Sequence, residues 1–163
     1  MSISDGRVVK YDGSTFLDFY ITSPIRSSLT CDGIINNPAK LGLICGRPLG
    51  IGFYFHKNEL YITDAYRGFL RVGTKERLAL LVTTGANGVP FKFTDAVDVD
   101  QRTGKVYLTD VSASFSLRLR GPRGVAISAD GFYFLVSEFL ASRVTKFWLK
   151  GPNKAFRSEV IIT

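Results

Sequence analysis

Gly50-Ile51-Gly52-Phe53, followed after a polar turn by Leu60-Tyr61-Ile62-Thr63-Asp64, is the stretch whose reading decides the fold, because the chain repeats it. Ala96-Val97-Asp98-Val99 leads to Val106-Tyr107-Leu108-Thr109-Asp110, and Gly124-Val125-Ala126-Ile127 leads to Phe134-Leu135-Val136-Ser137-Glu138. The small first residue and the acidic last one are 14 positions apart each time: 50 to 64, 96 to 110, 124 to 138. Each unit reads as a β-hairpin. A short strand opens on a residue small enough for a neighbouring chain to crowd it. Turn residues follow (His56-Lys57-Asn58, Gln101 to Gly104, Ser128 to Gly131), then a second, more apolar strand.

Working outward, Gly68 to Val72 and Leu78 to Val82 add two strands to the first unit. Four strands in about 46 residues are the proportions of a propeller blade. The spacing then changes. From Gly50 to Ala96 is 46 residues, but from Ala96 to Gly124 only 28, a shortfall of 18 that falls between Asp110 and Pro122. Residues 116–119 remain there as a single candidate outer strand. Arg7-Val8-Val9-Lys10-Tyr11 echoes Arg143-Val144-Thr145-Lys146-Phe147, so the chain opens in mid-blade, with Phe16 to Ile21 as that blade's outer strand; residues 159–163 form the last one. The expectation is an all-β, partial β-propeller of about three of six blades with four-stranded antiparallel sheets. It divides into a half blade (1–22), a blade (45–84), a shortened blade (93–121) and a blade (122–163).

Composition agrees with a β core: thirteen Phe and seven Tyr stand beside one Met, and aromatic side chains suit a pleated, half-buried surface. No apolar run reaches the roughly 18 residues that span a bilayer, and the first residues lack the regions of a signal peptide. Lys and Arg outnumber Asp and Glu by 21 to 14. They are scattered singly, with no run of five, which argues for solvated strand faces and against nucleic acid. Cys31 and Cys45 lie in no CxxC pair and His56 is remote, so zinc has no ligand set. The two cysteines are either free thiols or one disulfide, the latter implying an oxidising compartment.

Ile44-Cys45-Gly46-Arg47-Pro48-Leu49-Gly50 and Leu60 to Tyr66 resemble the CGRPLG and LYIADAY motifs of plant strictosidine synthase-like proteins. Residues 93–100 with 106–110 are similar to that family's FTNAVDVD…VYFTD segment. Gly124 to Ala126 and residues 143–150 resemble its PNGVALS and RILRYWLKG segments, and Asp5-Gly6-Arg7 and residues 19–24 match its opening. The resemblance implies a six-bladed propeller related to the paraoxonase and calcium-dependent phosphotriesterase group. It implies a lyase or hydrolase of specialised, alkaloid-type metabolism acting on a small molecule, in the vacuole or secretory pathway, and a Cys31–Cys45 disulfide. It also implies what this chain lacks: the late-blade glutamate of the synthase would lie beyond Thr163, and a metal-ligand glutamate of the hydrolase relatives before Met1. The expectation is therefore no catalytic residue, no cofactor and no catalytic competence. The alternatives are a non-catalytic interaction surface, or a calcium-dependent esterase or lactonase completed by a homodimer.

Asp95 replaces the Asn of the FTNAVDVD motif and is the one candidate ligand for calcium; Arg123 replaces the Asn of the PNGVA motif, and its cation would repel a metal. Asp64, Asp110 and Glu138 recur at one repeat position. Paired catalytic carboxylates are one reading; the stronger is a repeated structural task, accepting backbone N–H bonds after the strand. Asp98 and Asp100 read as strand or turn residues, His56 as an exposed turn residue, and Phe147 and Trp148 as blade packing.

Overall fold

The computed structural model describes residues 1–32, 38–73, 75–111, 119–152 and 158–162. β1 (Arg7–Tyr11) and β2 (Phe16–Ile21) pair antiparallel, and Ser2 bridges to Val8, so the chain's first residues run alongside β1. A four-stranded antiparallel sheet follows, made of β3 (Pro48–Tyr54), β4 (Glu59–Asp64), β5 (Gly68–Val72) and β6 (Leu80–Thr83) in chain order. After a small hairpin, β7 (Gly85–Ala86) with β8 (Val89–Pro90), comes a pair, β9 (Thr94–Val99) and β10 (Val106–Asp110). The last sheet again has four strands in order: β11 (Pro122–Ile127), β12 (Tyr133–Glu138), β13 (Arg143–Trp148) and β14 (Ser158–Ile162).

Register decides which face of each sheet meets which neighbour, since side chains alternate along a strand. In the β3–β6 sheet Ile62 pairs with Ile51 and Leu70, and Leu60 with Val72. That face, with Val8, Ala79 and the half-buried Tyr20, forms the apolar core between the first two sheets. Ile62 and Val72 are fully buried there, each stabilising the fold by about 2 kcal/mol. The opposite face carries the stacked rings of Tyr61 and Phe69, 5.5 Å apart, and turns Thr63 toward β9. Tyr107 in turn meets Phe134 of the last sheet at 5.5 Å.

The inner strands β3, β9 and β11 stand side by side. Gly50 is small for a reason that the sequence suggested and the geometry supplies: a Cβ there would lie 2.5 Å from the Asp95 carbonyl oxygen and 2.8 Å from the Ala96 Cα. The first strand (strand A) of one hairpin and strand A of the next are thus pressed against each other backbone to backbone.

Four features differ from the sequence reading. The segment around the cysteines holds two helices, α1 (Ser28–Cys31), capped by the Ser27 hydroxyl, and α2 (Pro38–Cys45), which opens on proline where no N–H partner is needed. Cys31 and Cys45 are disulfide-bonded and buried between them. The β7–β8 hairpin was unanticipated; Asn87 and Gly88 both take positive φ, as its two-residue turn requires. Of the outer strand expected at 116–119, residues 116–118 lie outside the described residues and Leu119 belongs to no strand. The strand expected from residue 78 is β6, beginning at Leu80.

Candidate functional site

The recurring acids sit where the second strand of each hairpin (β4, β10 or β12) ends and the chain entering its first strand, strand A, passes. Asp64 is fully buried; its Oδ2 accepts from the Arg47 N–H and the Thr22 hydroxyl, both at 2.7 Å, and its Oδ1 from the N–H groups of Tyr66 and Arg67. Asp110 accepts from the N–H groups of Lys92 and Phe93. Glu138 accepts from the Arg120 N–H at 2.7 Å, from the Arg143 guanidinium at 2.8 Å and from the Thr145 hydroxyl at 2.5 Å. Each acid therefore ties down the N–H of a residue three or four positions before the small residue that opens its own strand A. Burial alone would push the Glu138 carboxyl up, but Arg143, Thr145 and the Arg120 N–H outweigh it and hold the group below the usual glutamate range.

A second repeated group was missed in the sequence: the hydroxyl one residue before each acid. Thr63 Oγ1 accepts from the Gly50 N–H at 3.0 Å and donates to the Asp95 carbonyl at 2.5 Å. Thr109 Oγ1 accepts from the Ala96 N–H at 3.0 Å and donates to the Arg123 carbonyl at 2.9 Å. Ser137 Oγ accepts from the Gly124 N–H at 2.7 Å, and the Ser2 hydroxyl donates to the Leu49 carbonyl at 3.0 Å. The carbonyl of residue 49 and the N–H of residue 50 belong to one peptide group, as do those of 95 and 96 and of 123 and 124. The bonds therefore join into one line: Ser2, peptide 49–50, Thr63, peptide 95–96, Thr109, peptide 123–124, Ser137. Every peptide in it is aligned head to tail, so each bond polarises the next. The signal was present in the Thr/Ser that precedes Asp/Glu in all three units.

At the mouth of the inner strands stand Leu49, Asp95 and Arg123, the residues just before the small ones. Asp95, 15% exposed, has its Oδ2 3.4 Å from Arg123 Nη1. Neither Asp95 Oδ2 nor Arg47 Nε has a hydrogen-bond partner. Burial raises the Asp95 carboxyl above the usual aspartate range, against the pull of Arg123 and Arg47. Arg123 is half exposed and lies 5.3 Å from the Phe139 ring centroid. A hard cation takes six to eight oxygens. Among the described residues no group of three or more His, Cys, Asp and Glu comes together, and Arg123 already holds the place beside Asp95.

Of the other candidates, Asp98 Oδ2 accepts from the Ile127 N–H at 2.7 Å and so also spans two sheets. Asp100 is buried and closes its turn on Arg102 and Thr103. His56 is exposed in the β3–β4 turn, edge-on to Tyr54. Phe147 stacks on Phe134 at 5.0 Å, and Trp148 stands edge-on to Tyr133 with Lys146 over both rings.

Antiparallel sheets set side by side about a line of inner strands, tied to one another through those strands, define a segment of a β-propeller. Solved structures show the same fold. The chain superimposes on one from a nidogen/laminin complex with a TM-score of 0.64 at 10% identity, covering 98% of this chain and 59% of that one. It superimposes on a gluconolactonase from Xanthomonas campestris with a TM-score of 0.50 at 14% identity, covering 77% and 69%. No family model matches the chain. By sequence it belongs to the strictosidine synthase-like family. It is 35% identical to strictosidine synthase of Catharanthus roseus over 99% of this chain and 55% of that protein. It is 36% identical to strictosidine synthase-like 3 of Arabidopsis thaliana over 98% and 48%, and 35% identical to strictosidine synthase-like 12 over 96% and 56%. The chain spans about half the length of these curated relatives.

Proposed function

We propose that this chain is a non-catalytic strictosidine synthase-like propeller segment that acts as an interaction surface. The lyase or hydrolase chemistry of specialised metabolism that the family suggests needs groups that these residues do not bring together. One observation carries the reading. Every carboxylate at the strand ends is already engaged: Asp64, Asp110 and Glu138 by the chain entering their own blades, and Asp95 by Arg123. A general acid or base must be within reach of substrate with a proton to move, and these groups are spent on the fold. The Cys31–Cys45 bridge supports passage through an oxidising compartment, the secretory pathway or vacuole.

The test is an assay of ester and lactone hydrolysis, and of amine–aldehyde condensation, with and without calcium, on the chain and on Asp95→Ala. Both proteins are expected to show the same background rate. Calcium-dependent turnover that Asp95→Ala abolishes, accompanied by a dimer in light scattering, would replace this reading with that of a hydrolase completed by a second copy.

A further inference from the structure

A cavity of about 170 Å3 opens between the turn that joins β4 to β5 and the chain that leads from β6 into β9. Arg67 lines it from the turn, Thr84 and Lys92 from the connecting chain, and Thr94 from the start of β9. Its charged lining groups are thus two cations and no acid. Three acids stand nearby in the chain, and each is engaged elsewhere. Asp64 accepts from the N–H groups of Tyr66 and Arg67, Asp110 from those of Lys92 and Phe93, and Asp95 pairs with Arg123. Among the described residues neither Arg67 nor Lys92 has a carboxylate partner for its side chain.

Arg67 is held in place rather than satisfied. It is half-buried, and its Nη1 donates to the Ser23 hydroxyl at 3.4 Å; that hydroxyl donates in turn to the Ile44 carbonyl at 2.5 Å, beside the disulfide-bonded Cys45. A guanidinium carries five N–H groups in a fixed fork. Among the described residues the buried polar atoms without a partner are Arg47 Nε and Asp95 Oδ2, so the other nitrogens of Arg67 reach solvent. Thr84 adds a hydroxyl that makes no hydrogen bond with the described residues. We propose that this cavity binds a phosphate group, free or carried on a small ester, between the Arg67 guanidinium and the Lys92 ammonium. Two positive charges match a phosphate, which carries about −1.5 to −2 at pH 7, whereas a carboxylate would leave one cation uncompensated. The volume lies below the roughly 300 Å3 at which pockets for drug-sized ligands begin, so any body attached to the phosphate is a few atoms long.

The test follows backbone amide shifts of the 15N-labelled chain in titrations with sodium phosphate, glycerol phosphate and sodium acetate at constant ionic strength and pH 7.5. Saturable shifts confined to residues 65–68, 84 and 91–94 are expected with both phosphates, at lower concentration than with acetate. The tighter of the two phosphates tells whether the ester or the free ion is the ligand. Lys92→Gln, at an exposed position that leaves the fold intact, should weaken phosphate binding about tenfold through loss of a charge-assisted contact, and Arg67→Gln at least as much. Lys57→Gln removes the same charge from the exposed β3–β4 turn and should change nothing. Equal weakening by Lys57→Gln would mean attraction to the chain's net charge alone and would overturn the proposal. So would shifts that do not saturate, or acetate binding as tightly as phosphate.

Discussion

Asp95 and Glu138 are both carboxylates withdrawn from water, and their partners give them opposite pH behaviour. Glu138 accepts hydrogen bonds from three groups, one of them the Arg143 guanidinium, and its folded value is lowered. Its contribution is complete above the ordinary glutamate value of about 4.3 and is lost as pH falls through the lower, folded value. Asp95 has one ion pair, at 3.4 Å through an Oδ2 that accepts no hydrogen bond, and its folded value is raised. Its ionised form therefore costs stability at neutral pH, a cost relieved as pH falls through the raised value. Asp95→Asn is accordingly expected to melt higher than the parent at pH 7, by a margin that shrinks toward pH 3.5. Glu138→Gln is expected to melt lower at pH 7, by a margin that also shrinks in acid. Thermal melts of the three proteins from pH 3.5 to 7.5 check both signs; margins that do not change with pH would show that shape, not charge, sets these residues' effects.

At the scale of the strand, the line of hydroxyls and peptides explains why the three hairpins share one spacing. The hydroxyl must reach back to the N–H thirteen residues before it, fixing hairpin length, and forward to the neighbouring inner strand, fixing sheet-to-sheet distance. Thr63→Val and Thr109→Val each leave a backbone N–H and a carbonyl without their partner, at about 2 kcal/mol. Because both bond to the one peptide between Asp95 and Ala96, the losses should not add. The double variant is expected to fall short of the summed singles by about 0.5 kcal/mol or more in urea unfolding; strict additivity would mean that the bonds act separately. Reduction of the Cys31–Cys45 bridge, which closes a loop of 14 residues, is expected to cost about 3 kcal/mol. The hairpins were legible in the sequence because strand alternation and turn residues are local. The acids were visible too, as repeats. The hydroxyl line was not read, since serine and threonine before an acid look like ordinary strand ends until the neighbouring strand is in place. The helices escaped because α1 is a single turn and α2, PAKLGLIC, has no clear polar face to give a helical period.

Across the whole molecule, one repeat position meets a different neighbour in each sheet. Val97 of β9 and Ile51 of β3 both follow the small residue that opens strand A. Val97 has β3 over it and is 7% exposed. Ile51 faces the side of β3 where the first sheet places no inner strand among the described residues, and it is 38% exposed, with Phe53 at 36% beside it. If burial between neighbouring sheets stabilises the fold, the usual ranking by size must invert. Val97→Ala removes the smaller side chain yet should cost about 2 kcal/mol, because it opens a cavity between two packed strands. Ile51→Ala removes more carbon and should cost about 1 kcal/mol or less, because water already reaches part of the surface it gives up. The two are compared by urea unfolding at constant slope. Equal losses, or a larger one at Ile51, would show that β3 and β9 do not differ in what covers them. The sheets would then not be successive members of one ring segment.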